Sequence, residues 1–175
     1  MPLPIAHGLL GASIVAAIHP QPTRGYYTPL LIGGVLANLA DFDFLLVFAF
    51  HSKSWHRGFT HSILFAVFVS LLFVLFLGKH QIREAIGFGL VFASHCVLDY
   101  VTTRKGGGVE LLFPFSTDRL AFGWHGLSEL PSQLPAIDIL KALCLEAALF
   151  VPLLLLVLVL RRYSRHVTGS AMSAL

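Results

Sequence analysis

The sequence predicts an all-α fold: a polytopic integral membrane helical bundle of about four to five transmembrane helices, with an interfacial loop capping the site at one end. Three observations predict it. Hydrophobic residues make up 56% of the 175 residues and charged residues only 12%, whereas a soluble domain carries about 25% charged residues. Mean hydropathy is +0.79, so too few polar groups exist to cover a globular surface. The apolar residues also fall in long runs, and the ionisable residues that interrupt those runs fall at matching places along them.

Pro2 to Ile18 is short and rich in small residues, and it either spans the membrane or enters it at an angle. A spanning helix needs about 20 mostly apolar residues. Leu30 to Phe50 meets this, interrupted only by Asn38, Asp41 and Asp43. Thr60 to Gly78 is the cleanest span, and Ala85 to Thr103 holds His95 and Asp99. Ile137 to Leu160 is Leu-rich, with Lys141 and Glu146 near its start. Leu111 to Ala136 carries prolines, glycines and Trp124, which suit a loop or short interfacial helices over the site. Residues 1–165 read as one domain and 166–175 as a small, polar, disordered tail.

Several classes are excluded. The beginning of the chain lacks the basic stretch of a cleaved signal peptide. A formal charge of +3 and a single basic run, Arg161 to Arg165, do not suit nucleic acid. Cys96 and Cys144 both sit in apolar runs, as packed thiols do.

The chemistry concentrates in His56-Arg57-Gly58-Phe59-Thr60-His61-Ser62. Histidine is the commonest metal ligand, and two imidazoles at the mouth of an apolar helix need a reason to be there. Ala6-His7-Gly8, Ala40-Asp41-Phe42-Asp43 and Ser94-His95-Cys96-Val97-Leu98-Asp99 place His, or His and Asp, at corresponding positions. If all five runs cross, His7, Asp41, Asp43, His56, His61, His95 and Asp99 all reach one side of the membrane. That convergence predicts a metal site where the helices meet water.

Individual spacings sharpen this reading. His95 and Asp99 are four apart and share a helix face. A buried hydrogen-bonded pair is the alternative, but ionisable groups inside a membrane segment are costly and usually functional. Asp41 and Asp43 would point apart on a regular helix, so the helix is expected to end or loosen there. Each could bind its own ion, or one could bridge two. Asn38 could orient Asp41 or bond to another helix. His56 and His61 fit together if His56 is in the loop and His61 in the first turn, with Gly58 permitting the bend and Thr60 or Ser62 capping the helix. Arg57 is suited to phosphate oxygens, and Arg104 with Lys105 follows the His95/Asp99 run as further candidates for substrate binding. His125 beside Trp124 is a poorer candidate.

These pieces resemble the YdjM-like family of membrane-bound, metal-dependent hydrolases, whose founding member is a LexA-regulated inner-membrane protein. Ala6-His7-Gly8, Asp41-x-Asp43, the block from His56 to Ser62, Ser94-His95-x-x-x-Asp99 and the segment from Gly107 to Pro114 carry the resemblance, over roughly residues 5 to 125. The chain departs from the family pattern where Ala40 replaces a proline before the first Asp and Phe44 a histidine after the second. The order of His and Asp is also similar to that of zinc-dependent phospholipases C and single-strand nucleases, which points to phosphoester chemistry.

The combined expectation is a multi-pass protein of the bacterial inner membrane that acts as a metal-dependent hydrolase. It would hold one to three divalent ions, Zn2+ or Mn2+, on the seven His and Asp residues. The metal would activate water, Asp43 would accept its proton, and Arg57 would neutralise a phosphate on an amphiphilic, phosphorylated, lipid-like substrate. Lys79, Arg83, Arg24 and the Arg161 cluster lie opposite the ligands, against Lys53, Arg57, Arg104, Lys105 and Arg119 on the ligand side; if the latter serve an anionic substrate and are not counted, the site is expected on the non-cytoplasmic side. A metal-ion or proton transporter and a non-catalytic scaffold are the alternatives.

Overall fold

The computed structural model describes residues 2–19, 27–104, 107–127 and 136–172, with side chains to 164. The described residues form six α-helices: α1 (Pro4–Ile18), α2 (Tyr27–Leu36), α3 (Phe44–Phe50), α4 (Ile63–Leu77), α5 (Ile82–Thr102) and α6 (Ala136–Met172). Short 3-10 turns at Leu39–Asp43, Lys53–Trp55, Phe59–His61 and Lys79–Gln81 join them. Among the described residues, β pairing is confined to one bridge, Val109 with Leu120. Helix α6 continues through Met172, across most of the stretch where a 166–175 tail is expected.

Two helical stretches, Lys79–Thr102 and Ala136–Ser164, are long and apolar enough to cross a membrane. Two more qualify if each bent pair is one span: Tyr27–Leu36 with Leu39–Phe50, bent by 42°, and Lys53–His61 with Ile63–Leu77, bent by 58°. All four overlap the long apolar runs. Both bends fall where the sequence places polar residues in an apolar run. A backbone that leaves the helix inside a membrane must find new partners for its amides and carbonyls. Here they are side chains of the site itself, described below.

α1 is only 15 residues long, about 22 Å, shorter than the roughly 30 Å hydrocarbon core. It is nevertheless central, packing against α2, α5 and α6, while α4 packs on α5. Small residues permit this. A Cβ built on Gly11 would lie 2.5 Å from the Gly33 carbonyl oxygen and 2.6 Å from the Ala37 Cβ, so the α1 and α2 backbones approach as closely as glycine allows. Val15, Leu36, Ala37, Ala40, Ala66, Val69, Val91, Phe92 and Cys96 make the apolar core between the helices. Cys96 is buried in it, while Cys144 is exposed and unpaired on α6.

α1 and α6 run in the same direction. Glu146 of α6 accepts hydrogen bonds from the Leu3 and Ala6 amides at the start of α1. Arg161 donates to the Ala16 and His19 carbonyls at its end. The five-run alternation of the sequence requires this parallel arrangement of its first and last runs.

The segment 107–127 is a loop with turns, and it folds onto the end of α5. The Phe122 and Trp124 amides donate to the Tyr100 and Val101 carbonyls, Ile63 N–H to Leu111 O, and Glu110 N–H to Arg57 O. The expected loop over the site is therefore tied both to α5 and to the His56–Ser62 block.

Candidate metal centre

α5 supplies two candidate ligands from its last turns. His95 and Asp99 are both fully buried, and their helical spacing brings His95 Nε2 to 3.9 Å from Asp99 Oδ2. The 3-10 turn Leu39–Asp43 supplies Asp41. The turn Phe59–His61 supplies fully buried His61 immediately before α4. His61 Nε2 lies 3.5 Å from Asp41 Oδ1 and 3.6 Å from Asp99 Oδ2, and His95 Nε2 lies 3.5 Å from Asp41 Oδ1. The two Nε2 atoms are 3.1 Å apart.

The ring tautomers follow from the outer partners. His95 Nδ1 is 2.7 Å from the Ala37 carbonyl, which can only accept, so Nδ1 carries the proton. Thr60 Oγ1 donates to Asp43 Oδ2 at 3.1 Å and is therefore free to accept from His61 Nδ1, also at 3.1 Å. His61 Nδ1 also lies 3.3 Å from Asp43 Oδ2. With both Nδ1 atoms protonated and both rings neutral, the Nε2 lone pairs would face each other across 3.1 Å, and either a proton or a metal cation between them relieves the repulsion. This outward Nδ1–H bond is how metal-ligating histidines are oriented.

The donor atoms fit such an ion. Zinc–N and zinc–O distances of about 2.0–2.2 Å give tetrahedral edges of about 3.3–3.6 Å. The five measured edges among Asp41, His61, His95 and Asp99 run from 3.1 to 3.9 Å, and all four donors lie within 4.8 Å of one another. Asp41 Oδ1 and both Asp99 oxygens are buried without a protein hydrogen-bond partner, a costly state for a carboxylate. The cluster holds three carboxylates, Asp41, Asp43 and Asp99, and one guanidinium, that of Arg57, whose Nε is 3.6 Å from Asp99 Oδ2; the difference of two charges is one that a divalent ion would balance.

His7 also reaches the centre. It is fully buried, neither ring nitrogen has a hydrogen-bond partner, and Nε2 is 3.5 Å from Asp99 Oδ1. Its ring stacks on that of His95 at 3.9 Å between centroids. It therefore lies beside the four-donor set, against the other oxygen of Asp99.

Asp43 and His56 join Asp41 in a second trio of potential ligands, but their atoms are engaged with one another. His56 Nδ1 is 2.9 Å from Asp43 Oδ1. Asp43 Oδ2 accepts from the Arg57 amide at 2.7 Å and from Thr60. Asp43 is only 2% exposed. Its role in the structure is to tie His56, Arg57, Thr60 and His61 together, which leaves it poorly placed to accept a proton from water. His56 stacks on Phe44 at 4.0 Å and, with Asp41, is half-buried at the edge of the centre.

Arg57 is 6% exposed, and its Nε lies 3.6 Å from Asp99 Oδ2. The sharp backbone turn expected at Gly58 is made by Arg57 instead, at φ 59°. This left-handed conformation is uncommon for a side-chain-bearing residue. It is held by the Arg57 amide on Asp43 and the Glu110 amide on the Arg57 carbonyl. Ser62 is the helix cap, accepting from the Phe65 amide. Arg104 points elsewhere: Nη1 is 2.9 Å from His125 Nδ1 and Nη2 donates to the Leu127 carbonyl, so it braces the loop. Lys105 and Arg24 lie outside the described residues. Asn38, in the turn after α2, bonds back to the Gly34 carbonyl rather than to Asp41.

Three contributors escape a reading of the sequence alone. The Ala37 carbonyl has no residue-type signal, and Thr60 looks like one of two equivalent caps. Glu146 had a signal, a carboxylate in an apolar run, but no indication of its partners.

Comparison with known proteins agrees with this architecture. The family model described as YdjM inner membrane protein matches residues 1–168. The chain is similar to the inner membrane protein YbcI of Escherichia coli (strain K12), with 38% identity over 113 residues, 60% of this chain. The match spans 64%, under two thirds, of that relative's length. No solved structure matches. A family model covering nearly the whole chain, over an all-helical bundle with apolar spans, places this protein in the YdjM family of inner membrane proteins.

Proposed function

We propose that the chain is a multi-pass, membrane-bound hydrolase that uses a divalent ion, zinc or manganese, to cleave a phosphoester bond of a lipid-like substrate. One observation carries the reading: the Nε2 atoms of His61 and His95 lie 3.1 Å apart beside oxygens of Asp41 and Asp99. This nitrogen and oxygen donor set suits zinc. Bound there, a divalent ion supplies Lewis acidity toward a phosphoryl oxygen and makes water a nucleophile near neutral pH.

The chain's residues divide the remaining work. Asp41, His61, His95 and Asp99 hold the ion, with His7 beside Asp99. Asp43 keeps His61 in the tautomer that presents Nε2 inward. Arg57 offers its guanidinium to the substrate phosphate. Half-buried His56, with Nδ1 held by Asp43, is the group we assign to proton transfer at the edge of the site, in place of Asp43 itself.

A lipid-like substrate is supported by the surroundings. A groove of about 350 Å³, lined by Thr28, Leu31, Ile32, Val35, Leu39 and Phe73 among others, offers apolar space between α2 and α4. Leu39 is two residues from Asp41. A site facing the non-cytoplasmic side is supported by the charges near it. Arg57 and Arg119 are drawn into local pairs with Asp99 and Glu110, so they count little as topology signals, whereas Lys79 and Arg83 lie at the opposite end of the helices.

The test is elemental analysis of detergent-purified protein, followed by turnover of phospholipid and polyprenyl phosphate in mixed micelles. Expected results are near-stoichiometric metal and release of a water-soluble phosphate product that stops on chelation and resumes on adding metal. Metal-loaded protein that cleaves no phosphoester would sink the hydrolase reading and leave only a metal-binding membrane protein.

A further inference from the structure

We infer that Glu146 is a positioning residue for the metal centre, acting through the first turn of α1 to set His7 against Asp99. This rests on the metal-centre reading above, and it concerns a carboxylate that no part of that reading uses.

Glu146 is fully buried on α6, within one of the two longest apolar spans. A charge in such a place is expensive unless it is fully hydrogen-bonded, and it usually serves function. Its two oxygens accept from the backbone amides of Leu3 and Ala6. These are amides at the start of α1, which carries a partial positive charge, and the Ala6 amide is shared between Glu146 and the Leu3 carbonyl at 3.1 Å. α1 has no capping side chain of its own: Leu3 occupies the cap position and its side chain makes no hydrogen bond. A carboxylate 140 residues away in sequence therefore does what a Ser or Asp at position 3 ordinarily does.

The geometry links this cap to the centre. Ala6, one of the two donors, is the residue directly before His7. The His7 ring has no hydrogen bond of its own, so its position depends on stacking on His95, the 3.5 Å approach to Asp99 Oδ1 and the placement of the α1 backbone. At the other end of α1, Arg161 holds the Ala16 and His19 carbonyls. The two clamps sit 15 residues apart on α6, matching the 15-residue length of α1. Glu146 sets the end that carries His7, and Arg161 sets the end that carries none of the site.

That asymmetry supplies the test. Full-length wild type, Glu146→Ala, Glu146→Gln and Arg161→Ala are titrated with Co2+ in detergent, following the visible ligand-field spectrum and the affinity. The expected result for Glu146→Ala is an affinity loss of about tenfold or more, the range for groups that orient metal ligands, with a shifted spectrum. Glu146→Gln keeps the side-chain volume and one accepting oxygen, so it should fall between. Arg161→Ala should keep the wild-type spectrum and affinity. If the Glu146 variants bind Co2+ as wild type does, Glu146 only docks a helix and the inference is overturned. Equal losses in the Glu146 and Arg161 variants also overturn it, since general α1 docking would then explain both. If the Glu146→Ala protein does not fold, Glu146→Gln decides between these results. Wild-type protein that takes up no Co2+ overturns the metal centre and this inference together, and the wild-type titration alone reveals that case.

Discussion

The two arms of the centre hold their ligands in different ways. On α5, His95 and Asp99 are placed by a regular helix, four residues apart, with one outside bond from His95 Nδ1 to the Ala37 carbonyl. On the other arm, Asp41 and His61 sit in 3-10 turns at two breaks in otherwise apolar spans. There the backbone does not fix the side chains. For His61, Asp43 does, by joining His56, the Arg57 amide, Thr60 and His61. A helix places a ligand through its backbone repeat, and a broken span needs a buried carboxylate to place one. The two arms should therefore fail differently when cut.

The largest effect is expected from removing a ligand on either arm. His61→Ala and Asp99→Ala should both reduce metal in the purified protein to background by elemental analysis. Retention of full metal in either would mean that the four-donor set is not the site. Next comes the brace. Asp43→Ala should weaken metal binding about 10–100-fold, as loss of an orienting partner does, without abolishing it. A competition titration against a chelator of known affinity measures this. If Asp43→Ala removed metal as completely as His61→Ala, Asp43 would be a ligand after all.

A smaller and more selective effect is expected at Arg57. Arg57→Gln should leave metal content intact and raise KM for a phosphorylated substrate about tenfold or more, through loss of a charge-assisted contact. A change in metal content with KM unmoved would give Arg57 a structural role instead. The smallest effect belongs to Arg104. Because its guanidinium engages His125 and the Leu127 carbonyl, Arg104→Ala should leave metal binding within error, while increasing protease cleavage within 107–127. Lost metal in this variant would tie the loop to the centre more directly than the contacts suggest.

The α5 arm was legible in the sequence because helical periodicity turns an i, i+4 spacing into a shared face. The break at Asp41 was legible too, since two carboxylates two residues apart cannot share one face of a regular helix. What the spacing could not distinguish was ligand from brace. Asp41 and Asp43 are the same residue type in the same turn, yet Asp41 Oδ1 is buried without a protein partner and faces two imidazoles, while both Asp43 oxygens are occupied. That difference depends on which way each side chain leaves a 3-10 turn and on what the next helix presents to it. Arg104 shows the same limit, since adjacency to the α5 ligands said nothing about the direction of its side chain.

Composition and periodicity alone determined the membrane class, the approximate spans and the gathering of His and Asp at one side, because hydrophobic run length and the alternation of crossing helices follow from local sequence. Only the tertiary structure decided which donors converge, that Arg57 rather than Gly58 makes the left-handed turn, and that Glu146 and Arg161 grip the two ends of α1. Each of these rests on contacts between residues far apart in the chain. Their energies depend on burial and on the angle at which helices cross, and neither quantity is written in any single segment.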